Sequence, residues 1–312
     1  MHHTFQIQLP ADKTTAVMAD LLKIDEVIGL ALSPGTSHKP IGNVLGDALS
    51  VQLLNKGADK VLGILANHYG NAPYLVSTSL TESMIESNQA EKLENDADEA
   101  IWEEIETSMR SQGRISPNFL VLMALGGIMA TIGIVSEPTR QVMPFVAAAI
   151  IAPGFEPIAG IALSVVLRRW QVMGRALMSS LVGYTTIIAS SSLTFWFLQT
   201  IGETDISKFA GSAEVYHLAN PTAVDTLLSI CGTLAGAIIM SSFRKSVIAG
   251  ALIAMVIINA AAMIGIGLVC GRYDLAGQGL QRFGFDIALI LLACGLVFWA
   301  KQRFFHHRRP VA

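Results

Sequence analysis

Ala147-Ala-Ala-Ile-Ile-Ala-Pro-Gly-Phe-Glu-Pro-Ile-Ala-Gly-Ile-Ala-Leu163 is the stretch that decides how this chain is built. It lies inside the apolar run Val142–Leu167, and spanning a bilayer takes about 20 mostly apolar residues. The run is broken in its middle. Pro153 and Pro157 lack backbone donors, and Gly154 loosens the chain between them. Glu156 falls near the centre, where an acidic side chain costs about 2.5–3.5 kcal/mol on insertion scales. Backbone groups freed at membrane depth are tolerated where they line a cavity or are buried in protein. Pro153, Gly154, Glu156 and Pro157 are therefore candidate transport or binding residues.

Outward from this break, five further apolar runs can be read: Asn118–Val135 before it, then Ala176–Leu198, Thr222–Met240, Val247–Cys270 and Phe285–Ala300. Six spans place both ends of the chain on one side. With the N-terminus inside, the inner loops and tail hold nine bases (Arg168, Arg169, Arg175, Arg244, Lys245, Lys301, Arg303, Arg308, Arg309). The outer loops hold four (Arg140, Lys208, Arg272, Arg282). This asymmetry predicts cytoplasmic N- and C-termini.

A shift of 105 residues lays Val142 on Val247, Ala149 on Ala254 and Gly160 on Gly265, and a shift of 106 lays Gly126 on Gly232. Three spans per unit make the second unit inverted, an arrangement that transporters build around broken helices. The shift sets Pro153 and Gly154 on Ile258 and Asn259, so Glu156 and Asn259 are expected to meet near the midplane. Asp225 and Asp286 fall in the first turns of their runs, where acids complement the helix dipole; each is a candidate for capping or for function. The hydroxyls at Thr185, Thr186 and Ser190–Ser192 either line a polar path or pack helices together. Gly126, Gly133, Gly232 and Gly236 offer close-approach faces, which predicts a homo-oligomer.

Composition supports a membrane protein. Of 312 residues 52% are hydrophobic and 14% charged, against about a quarter charged in soluble domains. The charge is divided: residues 1–117 carry 16 acids and 8 bases, and residues 118–312 carry 8 and 13. A purely soluble protein and a strongly basic nucleic-acid binder are both excluded. Cys231, Cys270 and Cys294 lie in apolar runs without ligand spacing and read as buried thiols. No Ser/His/Asp set, zinc spacing or phosphate loop is present, so neither an enzyme nor a cofactor is expected. The start has no basic segment followed by an apolar one, so no secretory signal is read there.

The first 81 residues read as strand Thr4–Leu9, helix Ala11–Lys23, strand Glu26–Ser33 ended by Pro34–Gly35, strand Ala48–Asn55, helix Ala58–Tyr69 and strand Tyr74–Thr81. The order βαββαβ predicts an α+β ferredoxin-like cytoplasmic domain. His2, His3 and His38 have no spaced partner set for a metal. Residues 82–117 form an acidic helical linker, with ten acids and Lys92 alone as a base over 82–106, and read as a solvated face. The membrane domain then covers 118–303 and a basic cytoplasmic tail 304–312.

Phe119-Leu-Val-Leu-Met-Ala-Leu-Gly-Gly-Ile-Met-Ala-Thr-Ile-Gly133, the quoted Ala147–Leu163 stretch and Asn220-Pro-Thr222 together resemble the DUF389 family of bacterial and archaeal membrane proteins of unknown function. The resemblance covers nearly all of 118–303 and implies a bacterial or archaeal inner (plasma) membrane location. The family usually carries a Pro-Pro pair where Ile258-Asn259-Ala260 stands, and often an Asn where Asp286 stands. These departures imply a subgroup with an acidic site. The expected function is passage of a small solute or ion through a site near the broken second helix, regulated by the cytoplasmic domain. The alternative is a membrane-anchored sensor or scaffold that binds a ligand or partner with its ferredoxin-like domain.

Overall fold

The computed structural model describes residues 2–37, 46–70, 74–81, 83–86, 89–96, 99–211, 215–217, 220–242 and 247–306, with the side chains of 138–139 and 247–255 also left aside. His38, Glu82, Asp98, Arg244, Lys245, Arg308 and Arg309 lie outside the described residues. The chain divides into two compact units.

The first unit is built on a four-stranded sheet. Strands β1 (His2–Pro10), β2 (Val27–Ser37), β3 (Gly46–Leu53) and β4 (Leu75–Thr81) lie in the order β2-β3-β1-β4. Every described pairing is antiparallel. Helices α1 (Thr14–Leu21) and α2 (Ala58–Tyr69) supply the two crossovers, giving the interleaved units expected from βαββαβ. Alternation in β1 puts Phe5, Ile7 and Leu9 into the core beside Val51, Val61 and Leu65.

Two readings change here. Strand β2 does not stop at Pro34–Gly35. Gly35 takes φ +65°, donates its N–H to Asp47 Oδ1 at 2.9 Å, and the strand resumes pairing at Ser37 after a register shift. The acidic run is also more than a solvated face, because its last apolar residues, Ala100, Ile101, Trp102 and Ile105, are buried. Ile101 joins the sheet's core, and Trp102 is fully buried with its ring 4.9 Å from that of His306. His306 is itself buried and bonded to Asp59 at 2.9 Å. Asp96 accepts from the Asn55 backbone at 2.7 Å and pairs with His2 at 3.1 Å, while Glu104 stands 3.5 Å from buried His3.

The second unit is helical. Past α3 (Ala90–Glu94) and α4 (Trp102–Gln112) run α5 (Pro117–Val135), α6 (Pro138–Ile151), α7 (Phe155–Val166), α8 (Trp170–Thr200), α9 (Ile206–Ala210), α10 (Ala223–Met240), α11 (Val247–Val269) and α12 (Tyr273–Phe304). The start of α5 follows from its sequence: Ser116 caps it by accepting from Phe119 N–H at 3.2 Å, and Pro117 takes the first turn. Four helices (α5, α8, α10 and α12) are long and apolar enough to cross a membrane, and α6 with α7 makes a fifth if a pair bent by 46° counts as one span. The expected run Val247–Cys270 forms one helix of 23 residues, Val247–Val269, of which Val256–Val269 is the apolar stretch with described side chains. The chain is thus a candidate multi-pass membrane protein with four to five candidate membrane helices among the described residues.

Serines and glycines organise the packing around α8. Ser191 Oγ donates to the Gly127 carbonyl of α5 at 3.1 Å, and Ser192 Oγ to the Gly265 carbonyl of α11 at 2.9 Å. A Cβ at Gly127 would overlap Ser190 and the Ile187 carbonyl, and one at Gly265 would overlap the Ile188 carbonyl. The serine run packs helices together, as small polar residues do in membranes. Gly126 and Gly133 are likewise used within the chain: they meet Ala152 and the Phe145 ring, so they are not free faces for a second copy. Of the cysteines, Cys294 is buried, but Cys231 is exposed.

Candidate functional site

The break is compact. Helix α6 ends at Ile151 and α7 begins at Phe155, with Ala152–Gly154 between them. Tyr184, from the middle of α8, donates from its hydroxyl to the carbonyl of Gly154, the N-cap of α7, at 2.9 Å. Its ring stands edge-on to Phe283 of α12, with centroids 4.8 Å apart. A Cβ on Gly154 would touch Ile258 of α11 at 3.5 Å. One tyrosine therefore ties the break to α8 and α12, and α11 closes the third side.

Glu156 occupies the first turn of α7 and is half-buried. It lines a cleft of about 480 Å³ with Arg110, Arg114, Arg175 and Ser179. The described lining of this cleft comes from α4, residues 113–115, α7 and α8, and Asn259 is not part of it. Asn259 is 3% exposed in α11, and among the described residues its Oδ1 has no hydrogen-bond partner. Pro157 packs on Gly113, close to the start of α5, so Glu156 stands nearer the end of the spans than the centre of its run suggests.

Asp286 is placed differently from its expected first-turn position. The helix that carries it begins at Tyr273, so Asp286 lies in mid-helix. It is 3% exposed and paired at 3.0 Å with Arg282, which is 5% exposed and also donates to Ser229 Oγ of α10 at 3.2 Å. The apolar window starts at Phe285 because Arg282 interrupts it. In the fold the two charges sit one turn apart on one face and neutralise each other inside the protein. Arg282, counted above as a loop residue, is thus a site residue that the hydropathy pattern hides; its spacing to Asp286 was the available signal. Among the described residues Asp286 Oδ1 and Arg282 Nη1 have no hydrogen-bond partners. A cavity of about 240 Å³ opens at Asp286, Ser229 and Thr233. Val256 lines it too, one helical turn before Asn259.

Asp225 is occupied in capping. Its carboxylate accepts from the Thr222 N–H at 2.8 Å and the Thr222 hydroxyl at 2.7 Å, and Thr222 Oγ1 accepts from Asp225 N–H at 3.2 Å. This is the reciprocal arrangement of a capping box. Among the described residues no group of His, Cys, Asp and Glu is arranged to hold a metal.

Comparison with curated proteins and with solved structures returns no match. The model of the family described as a domain of unknown function, DUF389, matches residues 149–292. That span opens in the last turn of α6 and takes in the break, Glu156, Tyr184, Asn259, Arg282 and Asp286. From residue 149 to residue 292 the chain is a DUF389 domain.

Proposed function

We infer that the protein is a non-enzymatic membrane transporter or channel-like protein. Its membrane part, six spans in two inverted units, passes a small solute or ion beside the broken second helix, and the ferredoxin-like domain regulates it from the cytoplasm. The observation that carries this reading is Tyr184. It holds the Gly154 carbonyl at the break on one side and on the other abuts Phe283, the residue next to the buried Arg282. Ionisable residues inside a span mark solute and ion pathways more often than they mark structure, and the Asp286 carboxylate has one oxygen uncommitted beside a cavity. Assembly as a homo-oligomer belongs to the same reading.

The test is flux into liposomes holding the purified full-length protein, across a panel of ions and small metabolites. Glu156→Gln should abolish or uncouple flux while leaving folding and oligomer size intact, with a weaker defect in Asn259→Ala. Asp286→Asn should abolish or uncouple flux and also lower stability, because it leaves Arg282 buried without its partner. Sealed vesicles that show no flux for any solute would turn the reading to the scaffold. Flux that survives both acidic substitutions would move the pathway elsewhere.

A further inference from the structure

The cleft at Glu156 carries an inference independent of transport. Two of its arginines are uncommitted. Arg110 is neutralised by an ion pair with Glu106, which also receives Arg169 at 3.4 Å. Arg114 and Arg175, both exposed, have no carboxylate partner among the described residues. The rest of the lining is largely apolar, with Met109, Pro157 and Leu163 among its walls. Its depth follows from the helices that form it. Arg114 lies just before the Ser116 cap of α5, and Arg175 lies within the first two turns of α8. Helix α8 has 31 residues; at 1.5 Å per residue that is roughly 46 Å, against about 30 Å of hydrocarbon. Its ends therefore reach the headgroup layer, and exposed Trp170 at its start is the residue type found there.

We propose that Arg114 and Arg175 form a binding site for the phosphate of an anionic membrane phospholipid, its acyl chains lying along the apolar wall of the cleft. The two guanidiniums present paired donors to phosphate oxygens. The apolar wall favours a phosphate that carries a chain over a free one. By the distribution of bases in the loops, this cleft faces the cytoplasmic leaflet. Among the described lining residues Glu156 bears a carboxyl group that pairs with no arginine.

The experiment uses the full-length protein in mild detergent. Lipid adducts are read by native mass spectrometry with dioleoyl phosphatidylglycerol, dioleoyl phosphatidylcholine and inorganic phosphate as probes. Phosphatidylglycerol adducts should exceed phosphatidylcholine adducts, and Arg114→Gln/Arg175→Gln should lower them about tenfold or more. Arg272→Gln, at a site already paired with Asp274, should not change them. Glu156→Gln should raise them, because it removes the opposing charge and keeps the shape. Equal adducts for the two lipids, or unchanged adducts in a folded double variant, overturn the proposal. Displacement of phosphatidylglycerol by millimolar inorganic phosphate overturns the lipid as occupant. None of these outcomes depends on finding a transported solute, so this site and the transport reading can fail separately.

Discussion

Tyr184 Oη and the Gly154 carbonyl oxygen are 2.9 Å apart, although 30 residues separate them in the chain. The bond is buried. Gly154 is the N-cap of α7, so its carbonyl sits at the very start of that helix, and the Tyr184 hydroxyl gives it a side-chain donor away from water. At this break in the apolar bundle a side chain from a neighbouring helix bonds the cap of α7.

Tyr184→Phe keeps the ring and its contact with Phe283 but removes the donor. Leaving a buried carbonyl unsatisfied costs about 1–3 kcal/mol. Thermal unfolding of the full-length protein in detergent should show a lower midpoint with no change in oligomer size. A midpoint equal to that of the parent protein would mean another donor reaches Gly154.

A second prediction concerns Arg282 and Asp286. Removing one partner of a buried pair leaves an uncompensated charge and costs about 3–5 kcal/mol, whereas replacing both with apolar residues of similar volume is often neutral or stabilising. Asp286→Leu alone should therefore destabilise strongly, and Arg282→Met/Asp286→Leu should recover most of the loss. A double-mutant cycle on unfolding midpoints measures the coupling. Additive losses would show that the two side chains act separately.

Much of this architecture was legible in the chain, for identifiable reasons. The strands could be read because one face of β1 and β3 is buried, which imposes alternation at Phe5-Ile7-Leu9 and Leu49-Val51-Leu53. The break could be read because proline and glycine act on the backbone locally. What was missed is tertiary. Trp102 is hidden in an acidic run, since a single buried stripe is enough to dock a helix whose other faces are charged. Arg282 and Asp286 cut a hydropathy window in two because that window sums charges without pairing them. Glycine spacing announced close packing, but whether Gly126 meets this chain's Ala152 or a second copy is fixed only by the fold.

The third prediction follows from that close packing. Gly127→Ala and Gly265→Ala each push a methyl group into backbone carbonyls of α8, which cannot rotate away as a side chain can. Overpacking of this kind costs about 1–3 kcal/mol. Both variants should unfold at lower temperature in detergent. Gly277→Ala on α12, where an added Cβ meets nothing within 4 Å, should match or exceed the parent. Equal midpoints for all three would show that α8 is not clamped between α5 and α11.

The last prediction concerns pH and the sheet. His3 is fully buried, and burial lowers its pKa from 6.5 to about 4. Glu104, 3.5 Å away, is raised above its ordinary value, chiefly by its own burial. For His3 the folded state resists a proton that the unfolded chain accepts below pH 6.5. Its contribution is therefore complete above that pH and is lost as the pH falls toward 4, an effect of roughly 3 kcal/mol at the low end. Glu104 works in the opposite sense: its raised value favours the folded state where the carboxyl is protonated, and that advantage fades as the pH rises through its folded pKa. As the pH falls from 6.5 toward 4 the loss at His3 should make unfolding of the sheet, followed by the fluorescence of Trp102, easier. His3→Gln should flatten the dependence, since glutamine cannot take up the proton. A His3→Gln protein with the parent's slope would place the titrating group elsewhere in the unit.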